Sequence, residues 1–293
     1  MAGQPAIKMR NNLYPFVNND VWVDSQASTL YESVRDGLVV TRAEAPKEIA
    51  SFISGLALSK KDLIYDFSLV RVEPPIKDVR RLLGLSLEIS GWDDALPLIQ
   101  GAGQNMSRTA AGKISVRTGT LAAPSPEAGQ PPGEALLKPA QKIESDNPEI
   151  AARAAAITSS AVGTAERVAA LSAWTSEWLA DTIDDGGGAA ESFTKRSGNC
   201  QTHARLYTAA ARSAGIATRF VSGLVYQEEK GFLYHSWAES WVDGKWMTVD
   251  PTYAQAPADP THIKLFEGHL PEDMAPMIAI IGRISIKVLE AKY

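Results

Sequence analysis

The feature that most constrains this chain is a succession of three strand-like segments, 217–226, 232–242 and 245–250, the last two joined by Asp243-Gly244. An Asp-Gly pair suits the positive-φ positions of a type I′ turn, the two-residue connection whose twist matches the strands it joins. The segments therefore predict an antiparallel sheet. Alternation along the middle strand puts His235, Trp237, Glu239 and Trp241 on one face, and along its partner Trp246, Thr248 and Asp250 share a face. A histidine and an aspartate are thus carried on neighbouring strands.

Upstream of this sheet the spacing predicts a helix from Cys200 to about Ala214, with Gly215 as its stop. Cys200, Ala204, Tyr207, Ala211 and Ala214 recur at helical steps, and the small alanines allow close backbone approach, so this face points inward. A thiol at a helix start meets unpaired N–H groups and the positive end of the helix dipole, both favouring thiolate, the attacking form. A lone cysteine is ordinarily a small buried apolar residue. Here a sheet-borne histidine can take the thiol proton while an aspartate on the next strand fixes its tautomer, which turns the reading toward nucleophilic catalysis.

Composition narrows the rest. One cysteine and four histidines in 293 residues exclude an internal disulfide framework and leave no paired zinc-ligand spacing. A hydrophobic content of 45% with 22% charged residues fits a globular chain of one large or two ordinary domains. The net charge of −5 gives no footprint for a nucleic-acid backbone, so nucleic acid is not expected as a partner. No apolar run long enough for a membrane span and no signal-like start occur; the expected setting is cytoplasmic, or exported with the signal removed. Phosphate-loop, nucleophile-elbow and zincin motifs are missing.

Two regions of different texture meet near residue 148. In the first, Leu83, Leu85, Leu87 and Ile89 alternate with small or polar residues, predicting a strand with one buried face; 64–72 and 113–118 are further strand candidates, and a helix is expected at about 45–58. Residues 1–143 are read as a β-rich accessory domain, with a Pro/Ala/Gly-rich linker or extended surface crossing over about 118–147. The second domain, 145–293, opens with Asn147 as a helix cap and Pro148 in the first turn, followed by a second helix over about 164–181 whose Val168, Leu171, Trp174, Trp178 and Leu179 mark a core face. Asp181, Asp184 and Asp185 lack calcium-loop spacing and read as a solvated loop.

The blocks Ser197-Gly-Asn-Cys-Gln-Thr-His-Ala204, Ala214-Gly-Ile-Ala-Thr-Arg-Phe-Val-Ser-Gly223, Tyr234-His-Ser-Trp-Ala-Glu-Ser-Trp-Val-Asp-Gly-Lys-Trp246 and Val249-Asp-Pro-Thr252 resemble, in order, the bacterial branch of the transglutaminase-like superfamily, a papain-like group of cysteine enzymes. The resemblance covers about 193–271. It implies an α+β fold for 145–293, with N-terminal helices packed on an antiparallel sheet, and a triad of Cys200 as nucleophile, His235 as general base and acid, and Asp250 as the residue that orients the histidine. It further implies acyl transfer from amides through a thioester with no metal or organic cofactor. A peptide or protein is the expected substrate and hydrolysis the expected outcome; cross-linking to an amine, or a silent binding module on the same fold, are the alternatives. The chain departs from the family by Asn199 where many members have an acidic residue and by Thr202 where many have Glu.

Further candidates remain open in the sequence. For substrate binding or the oxyanion hole they are Gln201, His203 and Trp237, beside the backbone N–H of Cys200. His203 either contacts the nucleophile or substrate or bonds to a neighbouring loop; Trp237, Trp241 and Trp246 either wall a peptide groove or fill the core. Successive same-face residues on a strand are about 7 Å apart and Glu239 is two such steps from His235, too far for an orienting bond. His262 and His269 fall in a loop, with nothing to support metal binding.

Overall fold

The computed structural model describes residues 5–11, 19–34, 39–43, 69–124, 127–182, 187–228, 230–270, 273, 280 and 282–293. The helix expected at 45–58, most of the strand expected at 64–72, and Asp184 and Asp185 lie outside them. Of the 64–72 segment, Val70 makes a single antiparallel bridge to Phe232.

The chain begins with a four-stranded antiparallel meander, β1 (Ile7–Asn11), β2 (Asn19–Val23), β3 (Thr29–Val34) and β4 (Val39–Arg42). A second sheet holds β5 (Gly84–Ser90), β6 (Gln104–Arg108) and β7 (Ile114–Gly119), in which Leu85, Leu87 and Ile89 are wholly buried as the alternation predicts. Leu83 does not join that face. It is 50% exposed, because the strand starts at Gly84, paired with Gly119.

The second region supplies α1 (Pro148–Thr158), α2 (Thr164–Trp178), the two-residue strand β8 (Ala180–Asp181), α3 (Ala189–Lys195), the two-residue strand β9 (Ser197–Gly198) and α4 (Cys200–Ser213). Asn147 caps α1, its side chain accepting from the amides of Glu149 and Ile150, with Pro148 in the first turn. α2 ends three residues before its expected limit, since Ala180 and Asp181 turn extended to pair in parallel with Ser197 and Gly198. That small pairing ties the end of α2 to the segment leading into Cys200.

The remaining strands are β10 (Thr218–Gln227), β11 (Gly231–Val242), β12 (Lys245–Val249), β13 (Ile263–Glu267) and β14 (Ser285–Lys292). The sheet order β12-β11-β10-β13 is antiparallel throughout, and Asp243 and Gly244 both take positive φ at the predicted turn. β14 returns to the first region and pairs with β5, giving the order β14-β5-β7-β6. Two cores result. One gathers β5–β7 with Leu224, Tyr226, Phe232, Ile263 and Leu265; the other packs α1, α2 and α4 on Phe220, Ala238, Val242 and Val249.

The segment expected as a linker or surface crossing is held by contacts on its way. The Arg219 guanidinium pairs with Glu127 at 2.9 Å, Arg212 Nη1 donates to the Lys138 carbonyl at 2.8 Å, and Ile143 is wholly buried in the second core. The observed architecture is α+β, helices packed on an antiparallel sheet, preceded by a β-rich N-terminal region.

Candidate active site

Cys200 is the first residue of α4 and is half-buried. The helix starts there because Asn199 caps it: its side-chain oxygen accepts from the amides of Gln201 at 3.0 Å and Thr202 at 3.3 Å. The departure at Asn199 therefore has a local structural use, a neutral cap that takes the second and third amides and not that of Cys200. Every residue from Thr202 to Arg212 is buried, so the helix is enclosed nearly all round and the thiol sits on a fixed axis. Gly215, at φ +77°, closes it.

Along β11, Ser240 turns to α4, where its hydroxyl meets the Tyr207 hydroxyl at 2.7 Å. The alternate residues His235 and Trp237 share a face of the strand and stack at 6.2 Å. His235 Nε2 lies 2.8 Å from Asp250 Oδ2, and its side chain is hydrogen-bonded to the Cys200 thiol, for which Nδ1 is the nitrogen left. The structure thus brings together the three residues singled out for catalysis. Burial opposes charge on His235, but the Asp250 carboxylate, by charge and hydrogen bond, and then Cys200 outweigh it and hold the imidazole well above its usual range. Tyr253 stacks on the outer side of the same ring at 5.2 Å and 15°, anchored by Gln227 Nε2 donating to its hydroxyl at 2.9 Å.

Asp250 has no solvent exposure. Burial alone would raise its proton affinity, yet the charge and hydrogen bonds of His235 and His262 keep it far below the usual carboxylate range. Its Oδ1 accepts from the Thr252 amide at 2.8 Å, while Oδ2 accepts from both His235 Nε2 and His262 Nε2, each at 2.8 Å. His262 is the site residue that sequence reasoning left in a loop; no local periodicity marks it. Its proton affinity rises to about 9: the cost of burial is overcome by hydrogen bonds and charge from Asp250 and Asp259.

Among the described residues, His235, Asp250 and His262 also form a group that could approach a metal ion, with donor atoms within 4.8 Å of one another. Their 2.8 Å nitrogen–oxygen separations, both to one oxygen, are hydrogen-bond distances and fit a proton-bearing relay.

The other candidates are engaged elsewhere or act from behind His235. Gln201 Oε1 accepts from Arg205 Nη2 at 3.0 Å, and His203 is buried with Nδ1 at 2.9 Å from the Asn199 carbonyl, the loop-bonded arrangement. Trp237 is 1% exposed, so its ring backs His235 and meets His262 edge-on at 5.2 Å instead of walling a groove. Glu239 accepts from Arg219 Nε at 2.6 Å and Lys264 Nζ at 2.9 Å, in a buried ion-pair cluster.

The family profile of the Transglutaminase-like superfamily matches residues 151–251, a span that holds Cys200, His235 and Asp250. The chain thus carries a transglutaminase-like domain, of a superfamily whose members are usually cysteine enzymes. Among solved structures it is similar to a candidate cysteine protease from Cytophaga hutchinsonii, at 16% identity and a TM-score of 0.46 over 72% of this chain and 89% of that one. The periplasmic domain of TgpA from Pseudomonas aeruginosa is similar at 19% identity and 0.42, over 64% and 88% of the two chains. Red sea bream transglutaminase is similar at 11% identity and 0.34, over 61% and 47%. No curated protein sequence matches the chain. Among the described residues, no helix is long and apolar enough to cross a membrane.

Proposed function

We propose that this protein is a thiol-dependent acyl-transfer enzyme acting on amide bonds of a peptide or protein, with water as its ordinary acceptor. The observation that carries this reading is the unbroken hydrogen-bonded line from Cys200 through His235 to Asp250. In the first half-reaction the Cys200 thiolate adds to the amide carbonyl and the S–C bond forms. The backbone N–H of Cys200, outside the Asn199 cap, is the candidate donor to the oxyanion. His235 then gives its proton to the nitrogen as the C–N bond breaks, and the amine departs, leaving a thioester. In the second half-reaction His235 takes a proton from water as the oxygen attacks; the S–C bond breaks and the carboxylate leaves. Asp250 keeps its charge throughout and stabilises the imidazolium. Hydrolysis asks least of the site, since water needs no acceptor pocket and an amine does.

The first test is the rate of Cys200 alkylation by iodoacetamide against pH in the wild type and in His235→Ala. One cysteine in the chain makes every label report this site. A profile changed by the histidine substitution supports the pair; a thiol that labels identically in both, or only on unfolding, removes the reading. Peptide libraries incubated with a labelled primary amine then separate the acceptors: incorporation of the amine in preference to water would replace hydrolysis by cross-linking.

A further inference from the structure

Asp250 Oδ2 is shared by two histidines, and the catalytic scheme uses one of them. The other, His262, stands immediately before β13 and is buried. Its ring is fixed at both nitrogens: Nε2 against Asp250 Oδ2 at 2.8 Å, Nδ1 against the Asp259 carbonyl at 3.1 Å with the Asp259 carboxylate at 3.6 Å. Carboxylate and carbonyl oxygens only accept, so both ring nitrogens must carry hydrogen and the ring is an imidazolium.

We propose that His262 is a positioning residue of the reaction, clamping the Asp250 carboxylate in the orientation that aims the His235 ring at Cys200. The proposal rests on the acyl-transfer reading above. A carboxylate rotates over a broad range about its last torsion, and a single contact to His235 would leave that rotation loosely determined. Donors on both oxygens, the Thr252 amide on Oδ1 and His262 on Oδ2, remove it. His262 also spreads the charge of Asp250 over two cations and so moderates its hold on the His235 proton, which the scheme requires to be given up. Among the described residues, the charged or titratable groups facing His262 are Asp250 from the end of β12, Asp259 from its own loop and His235 from β11; the Trp237 ring meets it near-perpendicular at 5.2 Å.

The approach of β13 to β10 supports this contact: the pairing has an irregularity between Ser222 and Gly223. A Cβ at Gly223 would collide with the Ile263 carbonyl and the Trp237 ring. Glycine there admits the strand that delivers His262, and Gly223 is itself the cross-strand partner of His235.

The experiment is the iodoacetamide profile of Cys200 from about pH 4 to about pH 10 in the wild type, His262→Ala, His262→Gln, His262→Asn and His235→Ala, at a temperature where circular dichroism shows each variant folded. The Gln amide nitrogen occupies the place of the histidine Nε2, whereas that of Asn corresponds to Nδ1 and falls short of Asp250. The expected result is slowing of about tenfold or more near neutrality in Ala and Asn, a scale common for residues that orient a site ligand, with Gln recovering most of the rate. Wild-type profiles in all three His262 variants, whatever their melting points, would reduce His262 to packing and overturn the proposal. So would a Gln variant as slow as Ala. If His235→Ala shifts the profile and the His262 variants do not, the triad stands and only this proposal falls; if His235→Ala leaves it unchanged, the triad reading itself fails.

Discussion

The core around β5–β7 and the core around α4 are filled by different residues. In the first, Leu85, Leu87, Ile89, Ile114, Val116, Ile263 and Leu265 form a layer of branched side chains between strands. In the second, Ala204, Ala209, Ala210 and Ala211 line a helix enclosed from Thr202 to Arg212. Branched residues fill the wide space between sheets, so their removal leaves a void; alanines set a short distance between backbones, so their enlargement forces elements apart. The closely held helix is the one that carries Cys200. Strand β10 serves both cores, with Phe220 near its start in the second and Leu224 and Tyr226 towards its end in the first.

The sharpest way to break this comparison is Leu87→Ala, which should cost about 2–5 kcal/mol through lost burial and a cavity. Because β10 belongs to both cores, the urea midpoints read by tryptophan fluorescence and by Cys200 labelling should fall together; a labelling midpoint that stays in place would mean that the cores melt separately. Next in size, Ala209→Leu should cost about 1–3 kcal/mol by overpacking, and should accelerate Cys200 labelling below the unfolding transition as α4 is displaced. Unchanged stability in that variant would show room around α4 that the comparison denies.

A more gradual effect comes from His262. Its folded-state proton affinity is raised, so its stabilising contribution is complete below the unfolded value near 6.5 and is lost as pH climbs through about 9. Stability should therefore decline across that window with a slope of at most about 1.4 kcal/mol per pH unit for the one proton, and His262→Gln should flatten this component in denaturant titrations at successive pH values. The smallest effect is expected from Asn147→Ala, about 1 kcal/mol for a lost helix cap, with no change in the labelling profile of Cys200. Melting and labelling measured on one preparation check both halves.

Much of the candidate site was legible in the residues. Asp243-Gly244 fixes a hairpin through its own backbone preferences, alternation then assigns the face of His235, and helical spacing from Cys200 with Gly215 as the stop marks the cysteine-led helix. Each of these is settled within a few residues of chain, which is why a sequence can display it. β6 escaped the reading because Gln104–Arg108, with Met106 its one apolar residue, lacks the alternation that betrays a buried face. His203 stood open between contact with Cys200 and a bond to a neighbouring loop, and the structure decides for the second, with Nδ1 at 2.9 Å from the Asn199 carbonyl.

By itself, then, the sequence determined the hairpin, the cysteine-led helix and the three residues of the candidate triad, since turn chemistry, capping and side-chain period are local properties. Tertiary structure alone decided that β14 returns to pair with β5 at the edge of the first region's sheet, that Trp237 stacks on the imidazole, and that His262 meets Asp250. Those contacts depend on which distant strands pair, and pairing is chosen by the burial of whole faces and the close approach that Gly223 permits, energies summed over the fold and written in no single stretch of it.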